Sequence, residues 1–345
     1  MRKFAIYALA AGCLLTAGCA KNATVSEGET AQKYLQLWMQ EYHPEVASAT
    51  NGVYILSDEP GTGDGWNSSL DYSLLNVTIR TLAGKVTTTN HEDVAKQVGS
   101  YVEGDYYGPV VTATSSGYAG VESMLEGMRI GGTRTAVIPS WLLTKDRYSS
   151  QKEYLEACSS STHLIYTISF SGQIDDVQQW ERSLLRQYVT SHYGADVQSV
   201  SFNDATEQAS IFFFIPDNSH VTSWEEMASG TKYTLNYTGS LLNGQVFDTT
   251  SEKVAKDNGI YNKNRTYEPV TITTAADYDN YALDGSTSLV DGFKGALSML
   301  KYPGQRGVAI FASDLGYSTG GSGTTIPGFA PLRFDLEIVK VTSSK

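Results

Sequence analysis

The sequence predicts an α+β protein made of two tandem domains built on one plan. Three observations predict it. Displaced by 160 residues, 75–114 aligns with 235–274, and seventeen of those 40 positions are identical, where average residue usage gives roughly two or three. Each half opens on an apolar stripe at helical spacing. Each half closes on a run in which apolar and polar residues alternate. Two long copies mean duplicated domains, not a solenoid.

The elements follow in order. Leu35, Trp38, Met39 and Tyr42 form the first helical stripe, and GVYILS (52–57) reads as a strand after it. The best-matched stretches come next: EDVAKQVGSY (92–101) faces EKVAKDNGIY (252–261), and YGPVVTAT (107–114) faces YEPVTITT (267–274). Val121, Met124, Leu125 and Met128 fall at i, i+3, i+4, i+7, one face of a short helix. That helix ends at glycine, and the β-rich TAVIP follows. Leu164, Tyr166, Ile168 and Phe170 alternate in LIYTISF, the pattern of a half-buried strand. The division falls near Gly172–Asp175, where Asp175 or Asp176 is placed to cap the next helix. The second half repeats the plan. Val177, Trp180, Leu184 and Tyr188 form a stripe, SIFFFIP (210–216) a strand, and Phe293, Ala296, Leu297 and Leu300 the short helix. VAIFA and LRFDLEI close it, with Leu332, Phe334, Leu336 and Ile338 on one face. All these stripes read as core.

The N-terminus reads as a targeting segment. Arg2 and Lys3 precede an apolar run, Phe4 to Leu15, too short to span a bilayer. TAGC then ends at Cys19 and resembles a bacterial lipobox. That resemblance implies cleavage before Cys19 and lipidation of it; ordinary secretory cleavage nearby is the alternative. Residues 1–18 are then the signal, 19–29 the lipidated cysteine and a polar tether (Asn22 to Glu29), 30–173 the first domain and 174–345 the second. Loss of Arg2 and Lys3 takes the formal charge from −12 to −14. Such a balance disfavours nucleic acid as a partner, because phosphate binding needs a basic footprint. Cleavage also removes Cys13, so Cys158 has no thiol to pair with and reads as inert.

The second copy resembles FKBP-type peptidyl-prolyl cis–trans isomerases over roughly 229–342. The motifs are YTG (237–239), GQVFD (244–248), VDGFKGAL (290–297), PGQRGVAIFASDLGY (303–317), IPG (326–328) and LRFDLEI (332–338). Their combination and order carry the likeness. It implies a twisted antiparallel sheet curved around one short helix, with an aromatic-lined pocket between them; to this the residue patterns add a helix and strand at the N-terminal side of each domain. It also implies Tyr237, Phe247, Asp248, Phe293, Tyr317 and Phe334 as catalytic pocket residues. Leu289, Val290, Ile326 and, more loosely, Val270 match other substrate-binding positions. Phe293 is then the floor, where many relatives have Trp. Tyr237, Phe247 and Phe334 are walls. Tyr317 and the Val290 N–H donate to substrate carbonyls, and Asp248 orients Tyr237 or polarises the rim. The implied partners are proline-containing polypeptides, with a membrane reached through the anchor and a homo-oligomer left open; no cofactor or metal is implied.

The chemistry asks for such residues. Peptide rotation faces a barrier of ~18–20 kcal/mol from lost resonance, and X–Pro exchange takes tens to hundreds of seconds uncatalysed. The twisted amide has lost charge separation, so a dry apolar pocket favours it over the planar form. A thousandfold acceleration needs only about 4 kcal/mol. No nucleophile, metal or general base is required.

The first copy departs from this set. At the 160 offset, Tyr237, Phe247 and Asp248 face Val77, Thr87 and Thr88; beyond 274 the match continues with changed offsets, and there Phe293 faces Val121 and Tyr317 faces Lys145, while only Tyr166 stands where Phe334 does. It keeps what folds and loses what grips proline, so it reads as a spacer, dimer surface or client-binding module. The second copy carries extra chain between Phe247 and Phe293. EKVAKDNGIYNKNRTY is shared with copy one; TTAADYDNYALDGSTS is private and lies just before the pocket helix, placed to cap, widen or block it.

Other motifs fall away. GYSTG (316–320) matches a nucleophile elbow, but loop follows Ser318 and no His lies beyond His220. His43, His91, His163, His192 and His220 lack paired zinc spacing. DYDNYALDG lacks the glycine of a calcium loop, and GTGDG (61–65) lacks a strand-to-helix context. Two functions stay open: an isomerase of envelope folding clients in the second domain, and a non-catalytic client-binding or chaperone lipoprotein.

Overall fold

The computed structural model describes residues 26–115, 117–146, 148–157, 162–200 and 211–343. The signal segment, Cys19 and Cys158 lie outside them. The first half runs α1 (Glu27–Tyr42), β1 (Tyr54–Glu59), β2 (Tyr72–Thr81), β3 (Val86–Thr89), α2 (Glu92–Gln97), β4 (Val110–Ala113), α3 (Ala119–Leu125), β5 (Gly132–Ile138), α4 (Gln151–Ala157) and β6 (Leu164–Ile174). The second runs α5 (Val177–Tyr193), β7 (Phe212–Asp217), β8 (Lys232–Leu241), β9 (Val246–Thr249), α6 (Glu252–Asp257), β10 (Val270–Thr273), β11 (Ala282–Leu283), α7 (Asp291–Met299), β12 (Arg306–Phe311) and β13 (Leu332–Ser343). From β2 to β4 the repeat holds at 160 residues to the element ends.

Two antiparallel sheets result, with one topology. The first is ordered β1-β5-β6-β2-β3, with β4 also on β2. The second is β7-β12-β13-β8, with β9 and β10 both on β8 and β11 beyond β10. Each sheet wraps its short helix. Val121, Met124 and Leu125 of α3 pack with Ile138, Ile168 and Phe170. Phe293, Ala296 and Leu297 of α7 pack with Tyr233, Phe311, Phe334 and Leu336. The long helices cover the opposite faces. Leu35 and Met39 of α1 sit on Val137, and Leu185 and Val189 of α5 sit on Phe213 and Ile310. Burial on both faces explains the unbroken apolar runs of β7 and β12, because a strand covered on both sides needs no polar alternation.

Two expectations are corrected here. The polar run 22–29 reads as tether, yet from Ser26 on it builds the start of α1. Ser26 accepts from the Glu29 N–H while Glu29 accepts from the Ser26 N–H, a capping box that satisfies two exposed helix donors. The Ser26 hydroxyl then donates to the Leu155 carbonyl at 2.6 Å. In α5 the predicted stripe is only half-buried; the buried line is Glu181, Leu185 and Val189. Trp180 and Leu184 instead line a crevice against Leu74 and Tyr106 of the first half. Asp176 caps α5 by accepting from the Gln179 N–H at 3.0 Å. Among the described residues, no helix is long and apolar enough to cross a membrane.

Candidate active site

The aromatic residues converge because each sits where the sheet faces α7. Tyr237 lies on β8, Phe247 and Asp248 on β9, and Phe334 on β13, all neighbours in one sheet. Phe293 is in the first turn of α7. Their rings meet: Phe293–Phe334 centroids are 4.8 Å apart, Tyr237–Phe293 5.5 Å and Phe247–Phe334 5.6 Å. Tilted and edge contacts of this kind favour ring quadrupoles beyond plain area burial. Gly239 makes the close approach possible. A Cβ there would lie 2.6 Å from the Phe247 ring and 2.9 Å from Phe334.

Above this aromatic layer stands a cavity of about 600 Å³, open to solvent. Tyr237, Phe247, Asp248, Leu289, Val290, Phe293, Tyr317, Ile326 and Phe334 all line it. Phe293 and Phe334 are almost fully buried, at 4% and 5% exposure, so they form the floor, whereas Tyr317 stands at the mouth with 37% exposed. Val270 is the exception among the predicted residues. It pairs with Leu235 in the sheet and packs against the core, off the cavity lining.

Polar groups line the cavity around this aromatic floor, among them Asp248, Arg265, Ser288, Ser322 and Thr325. Tyr237 donates its hydroxyl to Asp248 at 2.6 Å, and Arg265 holds the other Asp248 oxygen in a short ion pair. Burial, then the Asp248 charge, pushes the Tyr237 phenol far above its usual value. The same two causes raise Tyr317. Both phenols therefore keep their protons at neutral pH and remain donors. Among the described residues, neither the Tyr317 hydroxyl nor the Val290 N–H has a hydrogen-bond partner. The site thus offers an aromatic-floored slot with two free donors at its edge.

Sequence reasoning missed Arg265, Leu283 and Ser288, which also line the cavity. The repeat gave Arg265 no signal: it lies in NKNRT (262–266), which shares no residue with VEGDY (102–106) of copy one. Leu283 and Ser288 come from the private insertion, which builds a wall. Its acidic residues are engaged locally. Asp277 accepts from the Asp279 N–H at 3.1 Å, Asp284 accepts from the Thr271 N–H at 2.9 Å, and Asp279 lies 3.9 Å from Lys294.

No family model matches the chain. The "FK506-binding protein" of Neisseria meningitidis serogroup B (strain ATCC BAA-335 / MC58) is 29% identical over 117 residues, covering 34% of this chain and 85% of the relative. Over that stretch the chain is similar to an FKBP-type protein. A peptidyl-prolyl cis–trans isomerase structure from Pseudomonas syringae pv. tomato superposes with a TM-score of 0.31 at 17% identity, over 48% of this chain and 94% of that one. The three FKBP domains of wheat FKBP73 give 0.28 at 11% identity, over 84% and 95%. Within this chain the two FKBP-like halves differ at the site. Val77 and Val121 pack in the first core, and Thr87 turns its hydroxyl to the Ile79 carbonyl at 3.2 Å. Ile79 itself stands where Gly239 stands, a side chain that the Phe247 ring would exclude.

Proposed function

We propose that this chain is a peptidyl-prolyl cis–trans isomerase, that its site is the second-half cavity, and that it serves folding clients in a bacterial envelope to which Cys19 anchors it. One observation carries the reading: a buried aromatic floor lies beneath two unengaged donors, the Tyr317 hydroxyl and the Val290 N–H. A proline ring enters the slot over Phe293, between Tyr237, Phe247 and Phe334. The donors hold the flanking carbonyls. Against the aromatic floor, from which the seated ring displaces water, the twisted imide, whose charge separation is lost, is favoured over the planar form. Asp248 keeps Tyr237 turned along the wall, and Arg265 keeps Asp248 in place. No bond to the substrate is made or broken.

The test is isomerisation of a proline tetrapeptide by the full chain. Phe247→Ala should lower kcat/KM by about a hundredfold, and Tyr237→Phe by roughly three- to tenfold, the net worth of one ordinary hydrogen bond. Rates that stay at the wild-type level in both variants would end the catalytic reading. A second reading, a non-catalytic client-gripping module, draws on the apolar crevice between the halves, lined by Leu74, Trp180, Leu184 and Phe329. Slowed aggregation of a proline-free client, untouched by Phe247→Ala, would favour it. The anchor is checked separately: a Cys19→Ala protein that stayed with the membrane fraction would refute it.

A further inference from the structure

We propose that the first domain is a positioning element for the second domain's pocket, acting through Asp105 on the loop that forms the pocket rim; the catalytic half of this inference rests on the isomerase reading above. Three successive residues of the first half each bind the second. The Gly104 carbonyl accepts from the Gln245 side chain at 2.9 Å. The Asp105 carboxylate accepts from the Thr324 hydroxyl at 2.6 Å. The Tyr106 N–H donates to the Thr324 carbonyl at 2.8 Å, and its ring packs against the second core.

The places they touch are not arbitrary. Thr324 is the apex of a tight turn closed by Ser322 and Ile326, whose backbones exchange bonds of 2.8 and 3.1 Å. Ser322, Gly323, Thr325 and Ile326 all line the cavity, and Thr324 alone in that turn does not. Its side chain and carbonyl both face the other domain. Gly321 and Gly323 take positive φ of 62° and 55°, a conformation that glycine adopts cheaply and that leaves the turn little intrinsic stiffness. Gln245, the second contact, lies two residues before Phe247 in the β8–β9 turn. The first domain therefore grips both the turn at the cavity rim and the β8–β9 turn that leads to Phe247. Farther along the same loop, Phe329 packs edge-on against Tyr72 of the first half at 5.2 Å.

The duplication explains how this arose. In both copies the loop after α2 or α6 is built alike: Tyr101 stacks on Tyr107 at 5.1 Å and Tyr261 on Tyr267 at 5.5 Å. Tyr107 accepts from the Val102 N–H at 3.0 Å, and Tyr267 from the Asn262 N–H at 2.9 Å. On this shared frame, Arg265 reaches the rim of its own pocket, while its counterpart Asp105 reaches the rim of the neighbour's. A domain without its own aromatic walls has kept the loop that tends a pocket and aims it at the other copy.

The experiment uses the full chain in wild type, Asp105→Ala, Asp105→Asn and Thr324→Val. Two readouts are taken: amide hydrogen exchange over 321–326, and kcat and KM for a proline tetrapeptide. In Asp105→Ala and Thr324→Val, exchange at Ser322 and Ile326 should rise by about tenfold, and KM by roughly five- to tenfold with kcat within about twofold, as expected for loss of a charge-assisted bond that orders a binding rim. Asp105→Asn keeps an acceptor and should restore both. Unchanged exchange overturns the proposal. So does faster exchange with unchanged KM, or a joint fall of kcat and melting temperature that Asp105→Asn does not restore. A wild-type chain with no isomerase activity ends the isomerase reading, and exchange alone then decides whether the clamp exists.

Discussion

Glu181 is a carboxylate in an environment that its type rarely occupies. It is 3% exposed on α5 and accepts from the Ser313 N–H at 2.9 Å and the Ser313 hydroxyl at 2.5 Å. Ser313 opens the short 3-10 turn Ser313–Leu315 that leads directly to Tyr317. Burial pushes the Glu181 carboxyl up, against the pull of the two Ser313 bonds. The folded value thus exceeds the unfolded one. Its contribution to stability is complete below the ordinary glutamate range near 4.5 and is lost as pH rises through the raised folded value. Glu181→Gln should remove that slope. Melting temperatures taken from about pH 4 to 7 should show the variant gaining on wild type as pH rises; parallel curves would mean that the buried carboxyl carries no such penalty. At this scale the sequence was informative where a motif names a ring and its neighbours, as for Tyr237, Phe247 and Phe334. It was silent on Glu181 and Arg265, because each is defined by a partner on a different element. It misplaced Val270, whose strand register turns it into the core.

Between β8 and β9 the choice of Gly239 and Phe247 is one decision, not two. With Gly239→Ala, the new methyl meets the Phe247 ring at 2.6 Å and Phe334 at 2.9 Å. Overpacking of this kind costs about 1–3 kcal/mol. Most of the cost should vanish in the Gly239→Ala, Phe247→Ala double variant, read by denaturant midpoints in a double-mutant cycle. Additive losses would show that the ring is free to move aside. The first half carries the relaxed solution, Ile79 beside Thr87. Elements themselves were legible wherever periodicity was clean. The stripes of α3 and α7 and the alternation of β13 describe buried faces residue by residue, since period fixes which side chains share a face. The α5 stripe was read one position off. Its apolar line faces the crevice between the halves as well as the sheet, so two surfaces compete for one pattern. The start of α1 was hidden inside a polar run, although S-x-x-E at Ser26 and Glu29 is itself a helix-start signal.

At the scale of the whole molecule, one topology is used twice, and among the described residues the aromatic slot stands in the second half. The outer helix, the six paired strands and the wrapped helix recur in both halves, so the fold does not depend on the rings that make the slot. That separation allows the two halves to be compared inside one folded chain. Thr87 holds the position of Phe247 and is exposed, so Thr87→Ala removes little beyond a 3.2 Å bond to the Ile79 carbonyl. If activity belongs to the second half alone, Thr87→Ala should leave kcat/KM within about twofold of wild type, while Phe247→Ala in the same chain removes most of it. The decisive quantity is what remains in Phe247→Ala. Residual turnover that then falls further on Thr87→Ala would place catalysis in both halves. A residue count alone cannot make that distinction, because the two copies share their fold; it rests on the chemistry of a slot that needs rings on three sides to exclude water from a turning imide.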